Sequence, residues 1–191
     1  MTATCHSQLI LGGARSGKSR YALARAQLVA RPTVFVATAR PLDDDMRARI
    51  ARHRAERPPS WTTVEEPWEV AQTCRGLIDR SELCIVDCLT VWVSNLVLRG
   101  DRDEAILSAA DGLARLLAER ALSLILVSNE VGAGVHPPTE VGLRFRDLLG
   151  SVNQRVAAAA DRVTMMVAGI PVEIKDVPAR PETHAPAPEA P

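Results

Sequence analysis

The chain has 191 residues, enough for one α/β domain with a sizeable core. Lys plus Arg and Asp plus Glu each number 23, so the formal net charge is zero and nothing in it calls for a nucleic-acid or anionic-membrane surface. Aromatic residues are 3% of the chain, too few for a platform that stacks bases. No apolar run is long enough to span a bilayer, and Met1 to Ser7 is too short and polar to read as a secretory leader. The four cysteines, Cys5, Cys74, Cys84 and Cys88, have no C-x-x-C spacing, and Cys84 and Cys88 read as small buried hydrophobes. Neither a zinc site nor a disulfide framework is indicated, so a reducing cytoplasm is the expected compartment.

The first apolar run, Gln8–Leu11, reads as a strand. It leads into Gly12-Gly13-Ala14-Arg15-Ser16-Gly17-Lys18-Ser19, which fits the phosphate-binding pattern G-x-x-x-x-G-K-[ST], and a helix-compatible segment from Arg20 to Ala30 follows. Strand, loop and helix in that order is the context the pattern needs. Glycine lets the backbone turn sharply, so that successive N–H groups and a helix N-terminus converge on one anion. All eight residues are therefore expected around a nucleoside triphosphate. Lys18 is expected to reach its β- and γ-phosphates and serve catalysis, and the Ser19 hydroxyl to ligate Mg²⁺.

Thr33–Thr38 reads as the second strand. The segment from Asp43 to Arg57 has acids at its start and bases toward its end, which complements a helix dipole. Met46, Ile50 and His53 stand at i, i+4 and i+7, so His53 lies on or beside the apolar face with Arg49, Arg52 and Arg54 around it. One reading is a solvated basic helix with an incidental histidine. The other is a nucleophile: imidazole attacks phosphorus when neutral, nearby guanidinium groups disfavour its protonation, and they stabilise charge on a transferring phosphoryl group.

A short strand is compatible with Thr62–Glu65. Leu83–Asp87 is an apolar strand ending in a carboxylate, which in P-loop proteins sits on the metal side of the nucleotide; Asp87 is thus the second expected Mg²⁺ ligand. Ile106, Ala110, Leu113 and Leu117 follow helical spacing. Leu122–Ser128 is a strand, and Asn129-Glu130-Val131-Gly132 after it is either a strand-ending turn or part of a ligand edge at the carboxyl ends of the sheet. Asn153 and Arg155, in a helix with Ala157 to Ala160, read as structural. Val163 to Lys175, broken at Gly169-Ile170-Pro171, looks like two strands and a turn finishing the sheet antiparallel.

From Pro178 onward the sequence is mostly proline, alanine and charge and is expected to be disordered. The expected organisation is one domain over 1–177 and a tail over 178–191. Short apolar runs alternating with helical patterns predict an α/β fold of the P-loop NTPase type, a mostly parallel sheet with helices on both faces. No N-K-x-D guanine motif is present, which disfavours a regulatory GTPase and leaves a small-molecule kinase, a transferase or a motor ATPase.

Taken together, GGARSGKSR (12–20), ATAR (37–40), DDDMRARIARHRAERPPSW (43–61), TVEEP (63–67), VDCLTVWVSNL (86–96), SNEVGAGVHP (128–137) and RFRDLLGSVNQRVAAAADRV (144–163) resemble the bifunctional adenosylcobinamide kinase/adenosylcobinamide-phosphate guanylyltransferase family of cobalamin synthesis. The resemblance implies phosphorylation of adenosylcobinamide by ATP or GTP. GMP would then pass from GTP to an enzyme histidine and on to adenosylcobinamide phosphate, with no tightly bound organic cofactor. The histidine so implied is His53. Ala37, Thr38, Ala39, Arg54, Ala55, Glu56, Arg57, Glu65 and Asp87 are implied around the nucleotide. A homotrimer and a core resembling recombinase-type ATPases are also implied. A small-molecule kinase whose His53 is merely a phosphate-contacting or surface residue, and a non-catalytic nucleotide switch, are the competing readings.

Overall fold

Thirteen elements follow one another in the computed structural model, which describes residues 6–29, 31–80, 82–134 and 136–176. The first half holds β1 (Ser7–Gly12), α1 (Lys18–Val29), β2 (Thr33–Ala37), α2 (Asp44–Ala55), β3 (Thr62–Glu65), α3 (Val70–Arg75) and β4 (Leu83–Asp87). The second holds α4 (Leu89–Arg99), α5 (Asp103–Glu119), β5 (Ser123–Val127), α6 (Glu140–Ala159), β6 (Arg162–Val167) and β7 (Ile170–Asp176). The tail from Pro178 lies outside the described residues.

The seven strands form one sheet in the order β3-β2-β4-β5-β1-β6-β7, parallel throughout except for the antiparallel β6–β7 pair. Near-continuous apolar strands are what a sheet covered on both faces requires, because successive side chains point to opposite sides. Leu9, Val34, Val86, Leu124 and Val163 point to one face, against Trp92 and Leu96 of α4, Leu113 of α5 and Leu149 of α6. Ile10, Phe35, Ile85, Val127 and Met166 point to the other, against Ala22 and Ala26 of α1.

Two helices carry no clear sequence signal. α3 is six residues long, too short for a periodic pattern, and the Glu66 carboxylate secures its approach by accepting from the N–H groups of Trp68 and Glu69 at 2.8 and 2.9 Å. α4 is rich in β-branched residues, yet six of its eleven residues are buried, so tertiary packing overrides propensity. Its Trp92 is fully enclosed and its indole N–H donates to Trp68 O at 2.7 Å.

The C-terminal hairpin turns at Ala168-Gly169, both with positive φ, and not at the expected Gly169-Ile170-Pro171. Ile170 and Pro171 already belong to β7. Lys175 on β7 donates to Ala157 O and Ala158 O, both at 2.8 Å, satisfying carbonyls in the last turn of α6. Asp161, just before β6, secures the start of β1 by accepting from the N–H groups of His6 and Ser7, and it pairs with Arg120. The cysteines are only partly as expected: Cys74 and Cys84 are buried in the core, whereas Cys88 is half-buried at the end of β4.

Candidate active site

The loop between β1 and α1 is tightly constrained. Gly17 has φ +91°, and a Cβ at Gly12 would stand 2.5 Å from Ser16 Oγ and 2.9 Å from Met166 O. The turn of the C-terminal hairpin supports the loop from below, with Gly169 N–H donating to Ser16 O at 3.1 Å. Lys18 Nζ folds back onto Gly13 O at 2.9 Å. Burial holds the Lys18 pKa below the ordinary lysine value, Arg49 adding to the effect and Cys88 and Asp87 opposing it. The Ser16 hydroxyl is buried with no hydrogen-bond partner among the described residues, an uncommon state outside sites that receive a ligand.

Sheet order sets what faces this loop. β5 lies between β1 and β4, so the carboxyl ends of β1, β5 and β4 meet at one cleft of about 590 Å³. Its lining includes Lys18, Ser19, Arg49, His53, Asp87 and Asn129. The end of β4 is latched to the end of β2: Thr38 Oγ1 donates to Cys88 O at 2.8 Å and accepts from Cys88 N–H at 2.9 Å. Asn95, buried on α4, donates to Thr38 O at 2.9 Å. Burial, with the neighbouring Asp87 charge, pushes the Cys88 thiol up to about 11, so it stays protonated and is no rival to a histidine nucleophile at neutral pH.

α2 closes the site from the outside. Asp43 caps it, accepting from Met46 N–H at 2.7 Å, and acids at its start and bases at its end suit its dipole. None of its residues is buried. The stripe of Met46, Arg49, Ile50, His53 and Arg54, continued by Arg57, faces a second cavity of about 60 Å³ floored by Phe35, Ala37 and Ala39. The Arg57 guanidinium lies 3.6 Å over the Phe35 ring and donates to Thr63 Oγ1 at 3.1 Å. Arg54 forms an ion pair with Glu65 at the end of β3. Arg49, His53, Asp87, Cys88 and Val91 line both cavities, so His53 stands on their common wall.

Residues 8–174 match the family model described as cobinamide kinase / cobinamide phosphate guanyltransferase. The chain belongs to this family. It is 43% identical over 170 residues to the bifunctional adenosylcobalamin biosynthesis protein CobP of Pseudomonas aeruginosa, covering 89% of this chain and 98% of that protein. It is 38% identical over 179 residues to the bifunctional adenosylcobalamin biosynthesis protein CobU of Escherichia coli, covering 87% of this chain and 98% of that one. A solved ATPase from the type III secretion system of pathogenic bacteria shares the fold at 16% identity with a TM-score of 0.50, over 85% of this chain and 51% of that one.

Within this cobinamide kinase / guanyltransferase family member, the residues expected around a nucleotide divide into groups. Ala14, Arg15, Ser16, Gly17, Lys18, Ser19 and Glu56 line the larger cleft. Ala37, Ala39, Arg54, Arg57 and Glu65 line the smaller cavity, and Asp87 lines both. Gly12 and Gly13 shape the loop without lining either cavity, Thr38 turns inward onto Cys88, and Ala55 is exposed on the outside of α2. Sequence reasoning missed Phe35, Cys88, Thr90 and Val91 as lining residues. For Cys88, Thr90 and Val91 the available signal was position, since in a parallel sheet the end of a strand and the first turn of the next helix border the ligand crevice; Phe35, in the middle of β2, has no such signal.

Proposed function

We propose that this chain phosphorylates the hydroxyl of adenosylcobinamide with ATP or GTP, then transfers GMP from GTP through His53 to adenosylcobinamide phosphate, giving adenosylcobinamide-GDP. The observation that carries this reading is the place of His53 on the wall shared by the P-loop cleft and the Arg57–Glu65 cavity. Family membership and the names of the relatives at 38–43% identity support the two activities.

In the guanylyl step the His53 imidazole nitrogen bonds to the α-phosphorus of GTP while the α–β P–O bond breaks, and pyrophosphate leaves along the P-loop. A phosphate oxygen of adenosylcobinamide phosphate then attacks the same phosphorus and breaks the P–N bond. Arg49, on both cavities, and Arg52, on the larger, supply positive charge where negative charge develops. Arg57 and Glu65 are assigned to the nucleoside end in the smaller cavity.

The residues present fit Mg²⁺. Ser19 and Asp87 line the same cleft, and among the described residues no group of three or more His, Cys, Asp or Glu side chains converges as a closed metal cage. That donor set suits an ion that takes its remaining ligands from phosphates and water. Bound there, Mg²⁺ neutralises charge on the phosphates. A homotrimer is part of the same reading; the exposed apolar residues Val167, Ile170, Val172 and Ile174 on the β6–β7 hairpin are a surface suited to self-association. We assign the protein to the cytoplasm, in keeping with the lack of any described helix long and apolar enough to cross a membrane.

The test is covalent labelling with α-labelled GTP. Wild-type protein takes up label as a phosphoramidate, stable to alkali and lost in mild acid; His53→Ala takes up none and still phosphorylates adenosylcobinamide. Label persisting in the variant would place the nucleophile at another residue such as His6 or His136. Loss of both activities would reduce His53 to a nucleotide-positioning role.

A further inference from the structure

The segment Ser128-Asn129-Glu130 is held more firmly than a strand-ending turn requires. Ser128 N–H donates to Ile10 O at 3.0 Å and Glu130 N–H to Gly12 O at 3.2 Å, which ties both sides of Asn129 to β1 and the phosphate loop. Asn129 N–H donates to Thr90 Oγ1 on α4 at 2.7 Å, and Asn153 Nδ2 on α6 donates to Asn129 O at 3.0 Å. Both backbone groups of Asn129 are thereby engaged by side chains from two helices. Asn153, read from its sequence context as structural, has that role here: it positions Asn129.

What remains is the Asn129 side-chain amide, half-buried on the cleft that Lys18, Ser19 and Asp87 also line. It makes no hydrogen bond among the described residues. Strand register shows where it stands. Val127 is level with Ile10 on one side and with Asp87 on the other, so Asn129, two residues further, projects beyond both between the phosphate loop and the metal-side carboxylate. Its neighbour Glu130 is otherwise occupied, its carboxylate accepting from Gly132 N–H at 2.8 Å, and it does not line the cleft. Beside them Ser128 Oγ and Asn153 Oδ1 are buried without hydrogen-bond partners among the described residues. A strand end kept polar at that cost points to a chemical requirement.

We propose that Asn129 orients the acceptor of the kinase step: its side-chain Oδ1 accepts from the acceptor hydroxyl and holds that oxygen toward the γ-phosphorus. This rests on the bifunctional reading above. The hydroxyl oxygen bonds to the γ-phosphorus, the β–γ P–O bond breaks, the nucleoside diphosphate leaves, and the hydroxyl proton goes to solvent. An amide cannot take that proton; it orients the oxygen, and orientation is most of what protein side chains do in phosphoryl transfer. Guanylylation breaks the α–β bond with a nucleophile the protein itself holds, so it has no acceptor hydroxyl to orient. Asn129 therefore separates the two activities in the opposite sense to His53.

The experiment compares wild type, Asn129→Ala and the near-isosteric Asn129→Leu, which removes the accepting oxygen and keeps the volume. The inputs are adenosylcobinamide with γ-labelled ATP and, separately, α-labelled GTP. Expected for both variants is a fall in kinase kcat of about 10²-fold with the nucleotide KM and melting temperature little changed. Covalent labelling from GTP stays within about twofold of wild type. A kinase loss below about fivefold overturns the inference, as does a parallel loss of labelling, which would make Asn129 a general nucleotide contact. Wild-type protein that fails to phosphorylate adenosylcobinamide overturns the bifunctional reading and this inference with it. An active wild type with undiminished variants overturns this inference alone.

Discussion

The two cavities that meet at His53 are built in opposite ways. The larger is framed by backbone: a loop whose Gly12 admits no Cβ, a hairpin turn bonded to Ser16 O, and a β5 end pinned by α4 and α6. The smaller is framed by side chains from β2, β3 and α2, and α2 buries none of its residues. A triphosphate is held by fixed N–H groups and a helix N-terminus, which demands a rigid backbone. Under the proposed guanylyl transfer, His53 would gain from a helix resting on the surface, where both reactants have access. The first region is expected to fail all at once when its anchor goes, and the second by degrees.

The largest effect follows from the shared anchor. Only one P-loop is present in the sequence, and Lys18 is one of only two lysines, the other being committed to capping α6. Lys18→Ala is expected to lower both kinase and labelling activity by at least about 10³-fold, with little change in melting temperature, since the side chain contributes one exposed hydrogen bond to the free protein. Purified variant retaining either activity in the presence of Mg²⁺ would show that the two reactions use different triphosphate sites.

The same contrast governs what could be read before the fold was known. The phosphate loop is legible because each of its demands is a backbone demand: Gly17 at positive φ, a turn before a helix, a lysine at its first residue. Asp87 is legible because it ends an apolar strand. The stripe of Met46, Ile50 and His53 is legible from helical spacing, and it does face a cavity. Hidden from the sequence was the cavity itself, because its floor at Phe35 and its wall at Glu65 are brought under α2 by strand pairing across β3, β2 and β4. Thr38 illustrates the limit well. The family resemblance implies it beside the nucleotide, and only the fold shows that its hydroxyl bonds the Cys88 backbone.

That latch supplies an intermediate effect. Thr38→Val keeps the volume and removes the hydroxyl; Cys88 O retains the Trp92 N–H at 3.1 Å, but Cys88 N–H loses the oxygen it donates to. An unpaired buried N–H costs about 1–3 kcal/mol, roughly 2–12 °C in Tm for a domain of this size. Both activities should fall together by about tenfold, because Asp87 is the residue adjoining the loosened one. Thermal melts with paired kinase and labelling assays check this. Loss of one activity with unchanged Tm would move Thr38 from the scaffold to the ligand.

The smallest effect on stability is expected at the Arg54–Glu65 pair, although it bridges α2 to β3. Both side chains are 58% exposed, and exposed ion pairs contribute about 0–1 kcal/mol because solvent screens the charges and ordering two long side chains opposes the gain. A double-mutant cycle with Arg54→Ala and Glu65→Ala should therefore give a coupling energy in that range from chemical denaturation. Labelling from α-labelled GTP should fall far more steeply in Glu65→Ala, since the carboxylate faces the cavity assigned to the nucleoside. A coupling energy above about 2 kcal/mol would reverse the contrast between the cavities. The pair would then be a clamp that builds α2 into the scaffold, and the histidine it carries would stand on a surface as fixed as the phosphate loop.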